Sequence, residues 1–199
     1  GGDVLDKPGV ERFALVLTHD VESARGQERC LELMRLELEA GFRSSFNFVA
    51  DQYTNHTSLF DELRNHDCEI ALHGLRHNEN LFKSRKHFTA QIPRINKVLQ
   101  DWKAAGFRTP CMYHNLEWTR ELDIESDAST FDTDPFEPQP DGVGTVFPFW
   151  VAGSGRRGGY VEIPYTLPQD FTLFVLFQEK NIETWKMKLR WIAERGGMA

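Results

Sequence analysis

A chain of 199 residues, 40% hydrophobic and 27% charged, is long enough to bury a sizeable core and has the composition of an ordinary globular domain. A formal net charge of −7 argues against a nucleic-acid or anionic-membrane partner, which would call for a basic face. No apolar run approaches the roughly 18 residues needed to span a bilayer. Cys30, Cys68 and Cys111 are odd in number and widely spaced, fitting neither a disulfide scaffold nor a CxxC metal site. They favour a reducing, cytoplasmic compartment.

In chain order, the apolar run 13–18 reads as a strand buried on both faces. Residues 24–40 carry Leu31, Met34 and Leu38 at helical spacing, with Gly41 as the stop. An alternating strand over 45–49, a short helix over 57–66 and a strand over 69–72 follow. A longer helix over 85–105 ends at Gly106, and Phe107 and Arg108 open the next strand. Residues 127–159, rich in Pro, Gly and Asp, read as long loops on one face. Strand character returns over 160–163 and 172–177, and an amphipathic helix over 182–195 carries Ile182, Trp185, Leu189 and Ile192. Strand and helix alternate with short connections, which is the pattern of βα units and a parallel sheet. No repeat or linker divides the chain, so residues 1–199 read as one domain.

Three polar patches each follow one of these apolar runs: Thr18, His19, Asp20, Val21 and Glu22; His73, Gly74, Leu75, Arg76 and His77; Arg108, Thr109 and Pro110. Strand ends are where α/β folds place their chemistry. His73 and His77 stand four residues apart, so both rings can face one point. Alone, such a pair is as often a surface feature, and Asp20 and Glu22 alone read as helix caps. In combination, two imidazoles and a carboxylate suit a divalent ion: Zn²⁺ first, with Co²⁺, Ni²⁺ or Mn²⁺ as alternatives. The second carboxylate can take a proton from water. Arg108, paired with Asp20, would keep that carboxyl ionised. His19 should point opposite to Asp20 and pack as a structural residue. His56, His66 and His87 read as surface residues, and His114 as a groove-lining one. Phe131, Phe136, Phe147 and Phe149 read as core, while Tyr113 and Trp150 are candidates for stacking on a sugar. Cys111 stands out among the cysteines because it adjoins the third patch.

The ordered set resembles the polysaccharide deacetylases with the NodB homology domain, carbohydrate esterase family 4. Their T-F-D-D-G motif is similar to residues 18–22, their H-[ST]-x-x-H motif to residues 73–77, and their R-x-P motif to residues 108–110. Residues 126–135 look more loosely like the fourth-motif region. The resemblance implies an α/β fold, an irregular or incomplete (β/α) barrel, and metal-dependent removal of N-acetyl groups from an amino-sugar polysaccharide or glycoconjugate. It implies Asp20 as general base, Arg108 orienting it, and His73 and His77 as ligands. Glu22 would replace the family's second aspartate, whose place Val21 holds, and Pro110, Tyr113 and Trp150 would face the carbohydrate.

Two further departures accompany that one. Gly74 stands where the family has Ser or Thr. The family's late catalytic histidine has no counterpart beyond His114, which reads as a domain truncated at its C-terminal end or as a lost acid. A carbohydrate-binding pseudoenzyme of the same fold, and a hydrolase of a non-sugar amide such as a cyclic ureide, therefore stand beside the deacetylase reading. Oligomeric state is left open.

Overall fold

Short apolar runs separated by helical segments favour parallel pairing, because a strand returning in the same direction needs a crossover and a helix supplies one. The computed structural model describes residues 13–133, 142–153 and 158–199. It comprises two compact units. The first, Leu17–Thr130 with Phe149–Ile163, is built on a seven-stranded sheet. The strands are β1 (Leu17–Val21), β2 (Ser44–Phe48), β3 (Glu69–Leu72), β4 (Gly106–Phe107), β5 (Ser126–Asp127), β6 (Phe149–Ala152) and β7 (Gly159–Glu162). Their spatial order is β1-β2-β3-β4-β5-β7-β6. All neighbours are parallel except β6 on β7. Among the described residues the sheet stays open at β1 and β6, so the α/β fold is an incomplete (β/α) barrel.

Helices α1 (Ala24–Glu39), α2 (Thr57–Asn65), α3 (Arg85–Trp102) and the single turn α4 (Leu116–Thr119) make the crossovers between β1 and β5. The longer two begin at serine caps: Ser23 Oγ accepts from the Gly26 amide at 3.1 Å, and Ser84 Oγ from the His87 amide at 3.2 Å. Helices α1 and α2 bury Cys30, Met34, Phe60 and Leu63 against Phe46, Phe48 and Ile70. Helix α3 buries Phe88, Ile95, Val98 and Leu99 against Leu72 and Phe107. Phe46 and Phe48 are completely buried, each removal from water contributing roughly 2–3 kcal/mol. These two clusters hold the C-terminal ends of β1, β3 and β4 in place.

The second unit gathers the described residues of Gly1–Val16, Phe131–Pro148 and Pro164–Ala199. It holds α5 (Glu183–Glu194), a bridge between Ala14 and Met198, another between Phe131 and Tyr165, and an ion pair between Lys188 and Asp132.

Five readings change. The first strand is Leu17–Val21, because its register with β2 runs from Leu17 opposite Ser44 to Val21 opposite Phe48. Phe13 and Val16 are about two-fifths exposed, so Asp20 lies on the strand rather than after it. In β2, Phe46, Asn47 and Phe48 are all buried, since helices and neighbouring strands enclose both faces. Helix α3 stops at Trp102, with Lys103 in the left-handed region, while Gly106 already belongs to β4. There a Cβ would stand 3.0 Å from that of Ala71. Residues 172–177 form no strand. Phe171–Leu176 is a wide helical turn, opened by Asp170 accepting from the Phe171 amide and closed by the Phe177 amide on the Thr172 carbonyl. Local hydrogen bonds satisfy that backbone without a neighbouring strand. Phe147 is exposed rather than core, Phe149 is half-buried, and β6 was not legible at all. Phe136 and part of the 127–159 loop lie outside the described residues.

Candidate active site

Side chains alternate along β1, so Thr18 and Asp20 share one face while His19 takes the other. His19 Nε2 meets Glu37 Oε1 of α1 at 2.6 Å and its ring packs on Phe46, a structural placement. On the opposite face, Asp20 sits in register with Asn47 of β2, whose Nδ2 donates to Asp20 Oδ1 at 2.8 Å. Arg108, following β4, donates from Nη1 to Thr18 Oγ1 at 2.7 Å and stands 3.7 Å from the same Asp20 oxygen. Both groups occupy Oδ1, leaving Oδ2 3.8 Å from His73 Nε2. Burial alone would push the Asp20 carboxyl up. The Arg108 charge, the neighbouring His73 ring and the Asn47 hydrogen bond outweigh it and hold the carboxyl below its ordinary value.

His73 follows β3 directly, and its amide donates to the Phe48 carbonyl at 2.8 Å. Its ring is 2% exposed. The Nδ1 contact with the Arg108 carbonyl at 3.0 Å requires the proton on Nδ1, so Nε2 presents a lone pair. That Nε2 is buried and has no hydrogen-bond partner, a costly arrangement unless the atom serves another donor–acceptor role. Burial drives the imidazole below its ordinary value, toward the neutral form, with Asp20 only partly opposing.

Glu22 Oε1 lies 2.9 Å from His77 Nε2 and 3.9 Å from His73 Nε2. One donor atom from each of Glu22, His73 and His77 falls within 4.8 Å of the others, a group able to hold a metal ion. Glu22 is half exposed, which leaves one side of the group accessible. Gln52 ties the two segments together: its Oε1 accepts from the His77 amide and its Nε2 donates to the Glu22 carbonyl, each at 2.9 Å. Gly74 has φ +66°, and a Cβ there would stand 2.7 Å from Pro110 Cδ. The family's Ser or Thr at this place is therefore sterically incompatible with this chain's backbone.

Pro110 is buried with its ring against Gly74, and half-buried Tyr113 follows the short turn Pro110–Met112. Trp150 is 58% exposed on β6, the sheet edge opposite β1, where a Cβ on Gly159 would meet its ring at 2.7 Å. His114 is buried, with Nδ1 on the Met112 carbonyl, rather than open to a groove. The Cys111 thiol is pushed up by burial and by the nearby Glu22 and Glu79, so it keeps its proton.

Sequence reading missed Asn47, Gln52 and a buried acid pair. Asp127 and Glu162 stand opposite each other on β5 and β7, both fully buried. Burial pushes Asp127 up to about 6 and Glu162 up to about 10, so one proton is shared between them near neutrality. Ser129 Oγ links Asp127 to the Thr109 amide, which follows Arg108. The available signal was a polar residue inside a short apolar run, as in Phe46-Asn47-Phe48 and Val161-Glu162-Ile163.

The sequence matches no protein-family model and no curated protein. Its fold is shared with solved structures. A Mycobacterium smegmatis protein provisionally described as a polysaccharide deacetylase superposes with TM-score 0.64 at 17% identity, over 98% of this chain and 77% of that one. The Puue allantoinase superposes with TM-score 0.70 at 15% identity, over 96% of this chain and 77% of that one. At such identities the likeness establishes the architecture anticipated from the three motifs.

Proposed function

We propose that this chain is a metal-dependent hydrolase that removes N-acetyl groups from an amino-sugar polysaccharide or glycoconjugate. The observation that carries the reading is the buried, partnerless Nε2 of His73, grouped with His77 and Glu22 beside the anchored carboxylate of Asp20. Glu22, His73 and His77 would hold a divalent ion, and their nitrogen and oxygen donors suit Zn²⁺, with Co²⁺, Ni²⁺ or Mn²⁺ as alternatives. Such an ion, when bound, supplies Lewis-acid polarisation of an amide carbonyl and acidifies water.

The remaining work belongs to the side chains. Asp20, held ionised and with Oδ1 occupied by Asn47, takes the proton of the attacking water on Oδ2. Arg108 keeps that carboxylate charged and, through its carbonyl, fixes the His73 tautomer. Asp20 then carries the proton that the departing amine needs. Pro110 shapes the floor, and Tyr113 and Trp150 offer ring faces to a sugar.

The likeness to an allantoinase supports a second reading, hydrolysis of a cyclic ureide by the same residues. The decisive experiment loads the purified protein with Zn²⁺ and follows acetate release from N-acetylglucosamine oligomers beside ring opening of allantoin, for wild type and Asp20→Asn. Acetate release lost in the variant supports the deacetylase. Turnover of allantoin alone transfers the assignment to the ureide. Sugar binding without turnover makes the chain a binding module, and failure to retain any ion overturns the metal-dependent reading.

A further inference from the structure

Beside the candidate metal group lies a pocket of about 240 Å³, of whose lining the hydrolytic reading uses Pro110 alone. One wall is Gly74 and Pro110, which back the site; the other reaches Lys83 and His87 at the start of α3. The chain as a whole is acidic at −7, yet Arg76, Lys83 and His87 all line this pocket. Its one acidic lining residue, Asp51, is engaged by Arg94 at 2.5 Å. Among the described residues neither Arg76 nor Lys83 forms an ion pair. The first turn of α3 also carries Lys86 and Arg85, the latter paired with Glu121, and contains no acid, so with Asp51 engaged by Arg94 the charge lining the cavity is positive. Positive side chains gathered around a cavity repel one another, and an anion in the cavity removes that cost.

We propose that this pocket binds an anionic group, a carboxylate or a phosphate, carried by the substrate whose amide lies at the adjacent site. The word substrate rests on the hydrolase reading; the anion rests on the pocket alone. A volume of 240 Å³ takes one charged substituent and not a length of polysaccharide, so the pocket selects for a charged decoration next to the acetamido group.

The test is calorimetric binding of three probes to the whole chain: N-acetylglucosamine, N-acetylmuramic acid and N-acetylglucosamine 6-phosphate. It is run on Zn²⁺-loaded and chelator-treated protein, at low and high salt. At least one anionic probe binds about tenfold tighter than the neutral one, and salt shrinks the preference. Lys83→Met reduces the preference about tenfold, and Lys83→Arg retains it. Lys83 is exposed, so neither variant threatens the core. The carboxylate and phosphate arms decide which anion is preferred. Equal affinity for all three probes, absence of binding, or a preference unchanged in Lys83→Met overturns the proposal. An anion preference that survives without acetate release leaves the pocket standing and removes the hydrolase. Acetate release with no anion preference does the reverse.

Discussion

Replacing Gly74 by alanine tests the joint between the second and third motifs. The added Cβ would stand 2.7 and 2.8 Å from Pro110 Cδ and Cγ, inside any contact that real Cβ atoms make. The proline ring is rigid and buried, so the chain must move rather than a flexible side chain. The left-handed φ of +66° adds a backbone cost of about 1–2 kcal/mol for a non-glycine residue. Overpacking adds roughly 1–3 kcal/mol. The sum, about 2–5 kcal/mol, lowers Tm by roughly 5–15 °C for a chain of this size. Gly41→Ala is the control, because φ there is +84° and nothing lies within 4 Å of the new Cβ. Denaturant unfolding in chelator reads both variants free of any metal contribution. The reasoning fails if Gly74→Ala costs no more than Gly41→Ala. Gly74→Ser, which introduces the hydroxyl residue of the motif that residues 73–77 resemble, is expected to be at least as harmful.

His73→Ala and His77→Ala should each abolish retention of about one Zn²⁺ per chain, measured by elemental analysis after dialysis; retention by both would dissolve the site. Asn47→Leu removes a hydrogen bond to the Asp20 carboxylate, so the carboxyl rises and the acid limb of the hydrolysis profile moves to higher pH. About 1.5–3 kcal/mol of stability goes with that bond, and an unmoved limb would show that Asp20 does not set it. The Asp127–Glu162 pair is raised in the folded state, so its contribution is complete below about pH 4 and is lost as pH rises through about 6 and about 10. Glu162→Gln removes the upper titration and should flatten the fall of Tm between neutral and alkaline pH. Parallel Tm curves for variant and wild type would contradict the shared proton.

The pair also bears on how the site is held. Ser129 and Thr109 connect it to the segment carrying Arg108, and that segment positions both Asp20 and His73. The buried hydrogen bonds from Ser129 to Asp127 and from the Thr109 amide to Ser129 restrict the loop after β4 more narrowly than apolar packing would.

Local pattern sufficed for much of this protein. Hydrophobic runs of strand length, separated by segments with helical spacing, determined the βα alternation, and the polar residues that end those runs landed at the C-terminal strand ends. Asp20, Glu22, His73, His77 and Arg108 were legible because each stands beside such a run and carries a side chain of recognisable chemistry. Residues 172–177 misled because β-branched and aromatic character predicts a strand only where a partner pairs with it. What tertiary structure alone decided were contacts between distant segments: Asn47 against Asp20, Gln52 spanning Glu22 and His77, Pro110 filling the space above Gly74, and Glu162 opposite Asp127. The basic pocket belongs with these, since Arg76 and Lys83 face one cavity only once the loop after β3 meets the start of α3. Periodicity records which face of an element is buried; register and loop closure choose which residue it meets, and those depend on the whole sheet.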